Sequence, residues 1–198
     1  VIRLVGLDLS LTSTGVARLH LDDDGTVVGS HTVVVGYPLD SDASLEQHSA
    51  RIVAVARGVL DEVVPPLGRP APHLVAVEQA PMRSNDPGTA IRHALRWRVY
   101  AHLFRHDVHV VEVNPATLKL YATGDGRADK TAVVQAIRRH YGDRFDIPLR
   151  KADGREDVAD AIALVAMAAR AVGHPIDLDH PTRLRAVRTP QWHNREDR

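Results

Sequence analysis

The sequence predicts an α/β fold: a mixed five-stranded sheet with helices packed against it. Three observations lead there. Strand and helix patterns follow one another as three strands, a helix, a strand, a helix, a strand and two helices, the order of a layered α/β domain. The connections between the first three strands are short enough for an antiparallel meander, whereas helical stretches link strands one, four and five, which should therefore run parallel. The 198 residues are 44% hydrophobic but only 4% aromatic, enough for one domain with an aliphatic core.

Residues 1–9, "VIRLVGLDL", alternate and then run apolar, as a strand does. "STGVARLHL" (13–21) follows a tight polar turn as strand two. The Asp-Gly turn in "DDDGTVVG" precedes a β-branched third strand, "SHTVVVGY" (30–37). Residues 42–64 place Leu45, Ile52, Val55, Ala56, Val59 and Val63 along one helical stripe. Asp42 or Ser44 caps that helix, and Pro65-Pro66 stops it. "HLVAVEQAP" (73–81) is apolar enough for a strand buried on both faces. Residues 88–106 read as the second helix and "DVHVVEVNP" (107–115) as strand five. A loop containing "TGDGRADK" leads into a helix over 130–142, and 155–172 form a strongly apolar last helix. The predicted domain spans 1–172. Residues 173–198, with Pro175, Pro181 and Pro190 among scattered charges, read as an extended, solvated tail carrying Arg183, Arg185 and Arg188.

Composition bounds the function. There are no cysteines, which excludes disulfides and thiolate zinc sites and suits a cytoplasmic setting. No apolar run approaches the ~20 residues that cross a bilayer, and no secretory leader pattern is present, so no membrane partner is expected. Net charge is zero, yet residues 1–65 carry four arginines against nine acidic residues, and the remainder is correspondingly basic. A nucleic-acid partner would have to be held by a local patch.

Acidic residues stand where burial makes them expensive. Asp8 ends strand one among Leu7 and Leu9, and Glu78 ends strand four. Asp157 and Asp160, at i and i+3 in "EDVADAIALVA", share one face at the start of an apolar helix. The ends of parallel strands point the same way, where ligand sites collect. Converging carboxylates repel, and a hard divalent cation resolves the repulsion. Two such cations about 4 Å apart make a phosphodiester-cleaving site. Singly, each acid also has a plain structural account: the helix dipole favours Asp157 and Asp160, and Glu78 can face solvent. Asp8 has the least.

The segments "GLDLSLTSTGVA", "VAVEQAP", "VNPATLKLYATGDGRADK" and "EDVADAIALVA" occur in the order and approximate spacing of the RuvC-like Holliday junction resolvases, of the ribonuclease H-like superfamily. The chain resembles that family over about residues 1–172. The resemblance implies a ribonuclease H-like nuclease that nicks branched DNA, such as a four-way junction, with two Mg²⁺ per active site and Mn²⁺ as a substitute. It implies metal ligation by the catalytic acids Asp8, Glu78, Asp157 and Asp160, and catalytic lysines at Lys119 and Lys130 that meet the DNA backbone or the transition-state charge. Of the chain's three lysines, two stand at these positions. Further DNA contacts are expected at Arg83 and Arg127, and at Arg92 and Arg96 of an Arg/His stripe on the second helix. One departure stands out: family members often carry an aromatic wedge a few residues after the strand-four glutamate, and "EQAPMRSNDPG" offers only Pro81 and Met82.

Two other classes remain open. An actin- or sugar-kinase-like ATP-binding module also opens with a strand, an Asp and a Gly/Thr-rich turn, but needs about twice this length and a second phosphate loop. A catalytically idle relative that only binds branched DNA is the other. By the resemblance, a homodimer is expected. In the second helix Ile91, Leu95, Val99 and Leu103 form the apolar stripe, and Ala94, Trp97 and Ala101 can meet a second copy.

Overall fold

In a computed structural model, which describes residues 1–40, 42–64, 70–80 and 88–192, five strands form one sheet. They are β1 (Ile2–Asp8), β2 (Thr14–Leu21), β3 (Val27–Val35), β4 (Leu74–Glu78) and β5 (His109–Val113), in the spatial order β3-β2-β1-β4-β5. β1–β2 and β2–β3 pair antiparallel; β1–β4 and β4–β5 pair parallel. The predicted mixed sheet is therefore present. β3 begins three residues earlier than its β-branched core suggests, because the turn closes at Asp22–Thr26 with Gly25 in the left-handed region.

Among the described residues, six α-helices form: α1 (Leu45–Val63), α2 (Gly88–Arg105), α3 (Pro115–Thr123), α4 (Lys130–Tyr141), α5 (Arg155–Ala171) and α6 (Pro181–Val187). Ser44, not Asp42, caps α1: its hydroxyl accepts from the Gln47 N–H while the Gln47 side chain accepts from the Ser44 N–H. Leu45 is 87% exposed rather than part of the apolar stripe, since the first turn precedes the contact with the sheet. Pro65 and Pro66 lie outside the described residues.

Alternation along the strands sorts the two faces. Leu4, Leu19, Leu74, Ala76 and Val111 join α3, α4, α5 and α6 in one core, while Val5, Leu7, Val16, Val75 and Val77 join α1 and α2 in the other. By the same period of two, Asp8 and Glu78 continue the row of Leu4 and Leu74, toward α5. That helix lies across β1, β2 and β4. Two glycines admit it: a Cβ on Gly6 would overlap the Ala161 carbonyl, and one on Gly15 would overlap that of Asp157. The near-continuous buried run Val158–Arg170, six alanines among it, gives α5 the narrow profile this approach needs.

Two expectations are corrected. The stretch before "TGDG" is a helix, α3, capped by the Asn114 side chain, started by Pro115 and ended by Gly124 in the left-handed region. Nor are residues 173–192 an extended, solvated tail. Ile176 and Ala186 are buried, α6 packs on α3, and Trp192 packs against the same core with its indole N–H on the Val187 carbonyl. Arg183 is buried as well, 3.4 Å from the Asp177 carboxylate. Among the described residues, no helix is long and apolar enough to cross a membrane.

Candidate active site

Pairing of Leu7 with Val77 puts the next residues, Asp8 and Glu78, side by side at the ends of β1 and β4. α5 supplies the third carboxylate. One oxygen each from Asp8, Glu78 and Asp160 lie within 4.8 Å of one another. Asp157, one turn earlier, sits beside them, and Ser13 in the β1–β2 turn donates a hydrogen bond to its Oδ2 at 2.6 Å.

The electrostatics follow from this crowding. Burial, and then the charges of Glu78, Asp160 and Asp157, hold the Asp8 carboxyl well above its ordinary range. Burial raises Glu78 also, against the pull of Lys130, Arg96 and Lys119. Burial and the neighbouring Glu78 push Asp160 up to about 7. Burial works to lower the Lys130 ammonium, but the carboxylates of Asp160, Asp8, Asp157 and Glu156 outweigh it and raise it. Protons relieve part of this repulsion, and a hard divalent cation, bringing two positive charges and accepting several oxygen ligands, relieves it more fully. The donor set fits such a cation: carboxylate oxygens only, on rigid strand ends and a buried helix.

Both expected lysines approach the acids. Lys119 on α3 is close enough for its charge to lower Glu78 and Asp160. Lys130 opens α4, 3.6 Å from Glu156, which also holds Lys151 at 3.4 Å. Glu156 and Ser13 are participants that sequence reasoning missed; the signals were the acid adjoining Asp157 and the hydroxyl-rich turn "LSLTSTG".

The arginines divide. Arg92 bonds the Thr89 hydroxyl at 3.1 Å and lines a cavity of about 80 Å³ with Asp8, Glu78 and Gln79. Arg127 is exposed beside Gly126. Arg96 departs from the phosphate-facing stripe: it is buried, donating to the Tyr100 hydroxyl at 2.7 Å and to Glu112 at 3.3 Å. It shares a helix face with Arg92 and lines the same cavity, but Tyr100 and Glu112 draw its guanidinium inward. Arg83 falls outside the described residues, as do Pro81 and Met82. The rings of His102, near the end of α2, and His106, just past it, lie 4.7 Å apart, tilted by 39°.

No family model matches the chain. Individual relatives do. The crossover junction endodeoxyribonuclease RuvC of Frankia casuarinae is 36% identical over 166 residues, covering 82% of this chain and 86% of the relative. That of Gloeobacter violaceus is 30% identical over 164 residues, covering 82% and 84%.

This chain belongs to the RuvC family.

The solved Thermus thermophilus RuvC in complex with Holliday junction substrate superposes with a TM-score of 0.56, covering 83% of this chain and 91% of that one, at 22% identity. That likeness carries the fold, and the ribonuclease H-like architecture predicted for the chain is the one observed. The ATP-binding reading falls away, since RuvC membership accounts for the opening strand, its Asp and the turn together.

Proposed function

We propose that this RuvC family member is a structure-selective endonuclease that nicks four-way junctions or other branched DNA, with Asp8, Glu78, Asp157 and Asp160 holding two Mg²⁺ ions. One observation carries the reading: carboxylate oxygens from two strand ends and one helix converge within 4.8 Å, an arrangement whose repulsion serves no purpose in a protein that merely binds phosphates. When bound, the cations supply an activated water and charge neutralisation at the leaving oxygen.

The chain's own residues do the rest. Strand ends and the close-packed α5 fix the carboxylates in place, so that no reorganisation is needed at the moment of reaction. Lys119 and Lys130, whose charges already act on the acids, offer ammonium groups to a phosphodiester backbone, offsetting the acidic field that would otherwise repel it. Arg92, in the cavity beside Asp8 and Glu78, and the exposed Arg127 offer further guanidinium groups. Arg96, which lines the cavity with Asp8 and Glu78, draws Glu78 toward its ionised form.

Two symmetric nicks need two sites, and a two-fold homodimer supplies them. Supporting that reading, Ala94, Trp97 and Ala101 are exposed while Leu95, Val99 and Leu103 of the same helix are buried against the sheet. Light scattering on the protein alone and with a junction should give two protomers; one in both would overturn the dimer. A cytoplasmic setting completes the reading.

The function is tested by cleavage of a four-way junction, a flap and a plain duplex of one sequence. Mg²⁺ and Mn²⁺ should support nicking of the branched substrates, and Ca²⁺ little, because its looser coordination does not align an in-line attack. Binding without cleavage in every metal would instead favour the idle relative.

A further inference from the structure

We propose that Ser13 is a positioning residue, its hydroxyl holding Asp157 so that the carboxylate's other oxygen serves the metal centre; the inference rests on the metal-dependent reading above. The contact is long-range, from the β1–β2 turn to the start of α5, and charge-assisted, with Ser13 Oγ donating to Asp157 Oδ2 at 2.6 Å.

The hydroxyl stands on a frame built to keep it there. Thr14 is fully buried; its Oγ1 accepts from the Ser10 N–H at 3.0 Å and donates to the Ser10 carbonyl at 2.5 Å. The Thr12 N–H donates to Ser10 Oγ at 3.3 Å, and the Tyr37 N–H donates to the Leu11 carbonyl at 3.0 Å. Past the end of β3, Gly36 lets the backbone close on Thr12 where a Cβ would overlap it. Gly154, in the left-handed region just before α5, leaves room for Ser13 Oγ and Val34 where a side chain would crowd both.

The need for such a frame comes from Asp157 itself. Asp8, Glu78 and Asp160 form the tight group, and Asp157 lies outside it. It stands in the first turn of its helix, where repulsion from three carboxylates drives the side chain away from them. The Ser13 bond opposes that turn and selects one orientation. Groups that orient a metal ligand typically alter metal affinity by about 10- to 100-fold when removed.

The test is a Mn²⁺ titration followed by electron paramagnetic resonance and calorimetry. Wild type, Ser13→Ala, Ser13→Thr, Asp157→Asn and the Ser13→Ala/Asp157→Asn double variant are compared, with melting of each metal-free protein to establish folding. Ser13→Ala should weaken Mn²⁺ by about 10- to 100-fold, Ser13→Thr should bind as wild type, and Ser13→Ala should add nothing once Asp157 is Asn. Unaltered affinity in Ser13→Ala, a loss shared by Ser13→Thr, or an additive effect in the double variant overturns the proposal and leaves the nuclease reading standing. A wild-type protein that binds no Mn²⁺ overturns both.

Discussion

Helix α5 carries a cluster of buried charge at each end, and the two are built on opposite principles. At its N-terminal end, Asp157 and Asp160 meet Asp8 and Glu78: four acids, held together although they repel. At its C-terminal end, Arg170 binds Asp177 at 2.6 Å and also pairs with Asp179. Asp177, only 2% exposed in its side chain, additionally takes Arg183 at 3.4 Å and the hydroxyls of Tyr121 and Tyr141. Burial pushes both phenols above their ordinary range, so they remain donors. Every charge there has its opposite within reach. The balanced cluster fastens residues 173–188 to α3, α4 and α5; the unbalanced one stores repulsion that a cation would relieve. An uncompensated group of buried charges points to chemistry, and a compensated one to architecture.

Asp8→Asn separates the two roles most sharply. Loss of one ligand should lower junction cleavage by several kcal/mol of barrier, on the order of 10³-fold or more. Metal-free melting should hold or rise, because one repelling charge is gone. A variant that cleaves normally would remove Asp8 from the site. Asp177→Ala should show the reverse. Arg183 loses its carboxylate and Arg170 keeps only the exposed Asp179, a loss of about 3–5 kcal/mol read as a lower denaturant midpoint, while Mn²⁺ affinity at low temperature is unchanged. A small change in midpoint would mean the C-terminal segment is held by its apolar packing alone.

The pH dependence sharpens the contrast further. Burial and mutual repulsion raise Asp8, Glu78 and Asp160, the last from 3.8 to about 7, so from the ordinary carboxylate values up to the raised ones the folded chain holds more protons than the unfolded one. Stability of the metal-free protein should therefore fall as pH rises through that window, each unit of raised pKa being worth about 1.4 kcal/mol. Saturating Mg²⁺ should flatten the profile. A metal-free profile that climbs with pH would mean that the surroundings favour the ionised acids. The smallest expected effect lies with the lysines. Lys119→Ala with Lys130→Ala should weaken junction binding and lower the slope of log K against log salt by about 0.9 for each phosphate no longer neutralised. An unchanged slope would move the DNA onto other cations.

The strand order and the helices α1, α2, α4 and α5 were legible in the sequence because each depends on local periodicity; the acids stood out because Asp8 and Glu78 end apolar strands and i, i+3 spacing puts Asp157 beside Asp160. Even the cap signals of α3, Asn114-Pro115 and Gly124, were there to be read, though the helix is too short for its apolar pattern to stand out from the loop that follows.

Other features had no local signature. Ser13 is one hydroxyl among four in "SLTST" until the fold brings it across 144 positions to Asp157. Arg96 reads like its neighbours Arg92 and Arg98 until Glu112, on the next strand, draws it inward. Pro, charge and scarce apolar residues made 173–192 look solvated, because its anchor is one aspartate whose four partners come from α3, α4, α5 and α6. Periodicity and capping act between neighbours in the chain and can be read from it. Pairing of buried polar groups acts between neighbours in space, and only the packed structure chooses them.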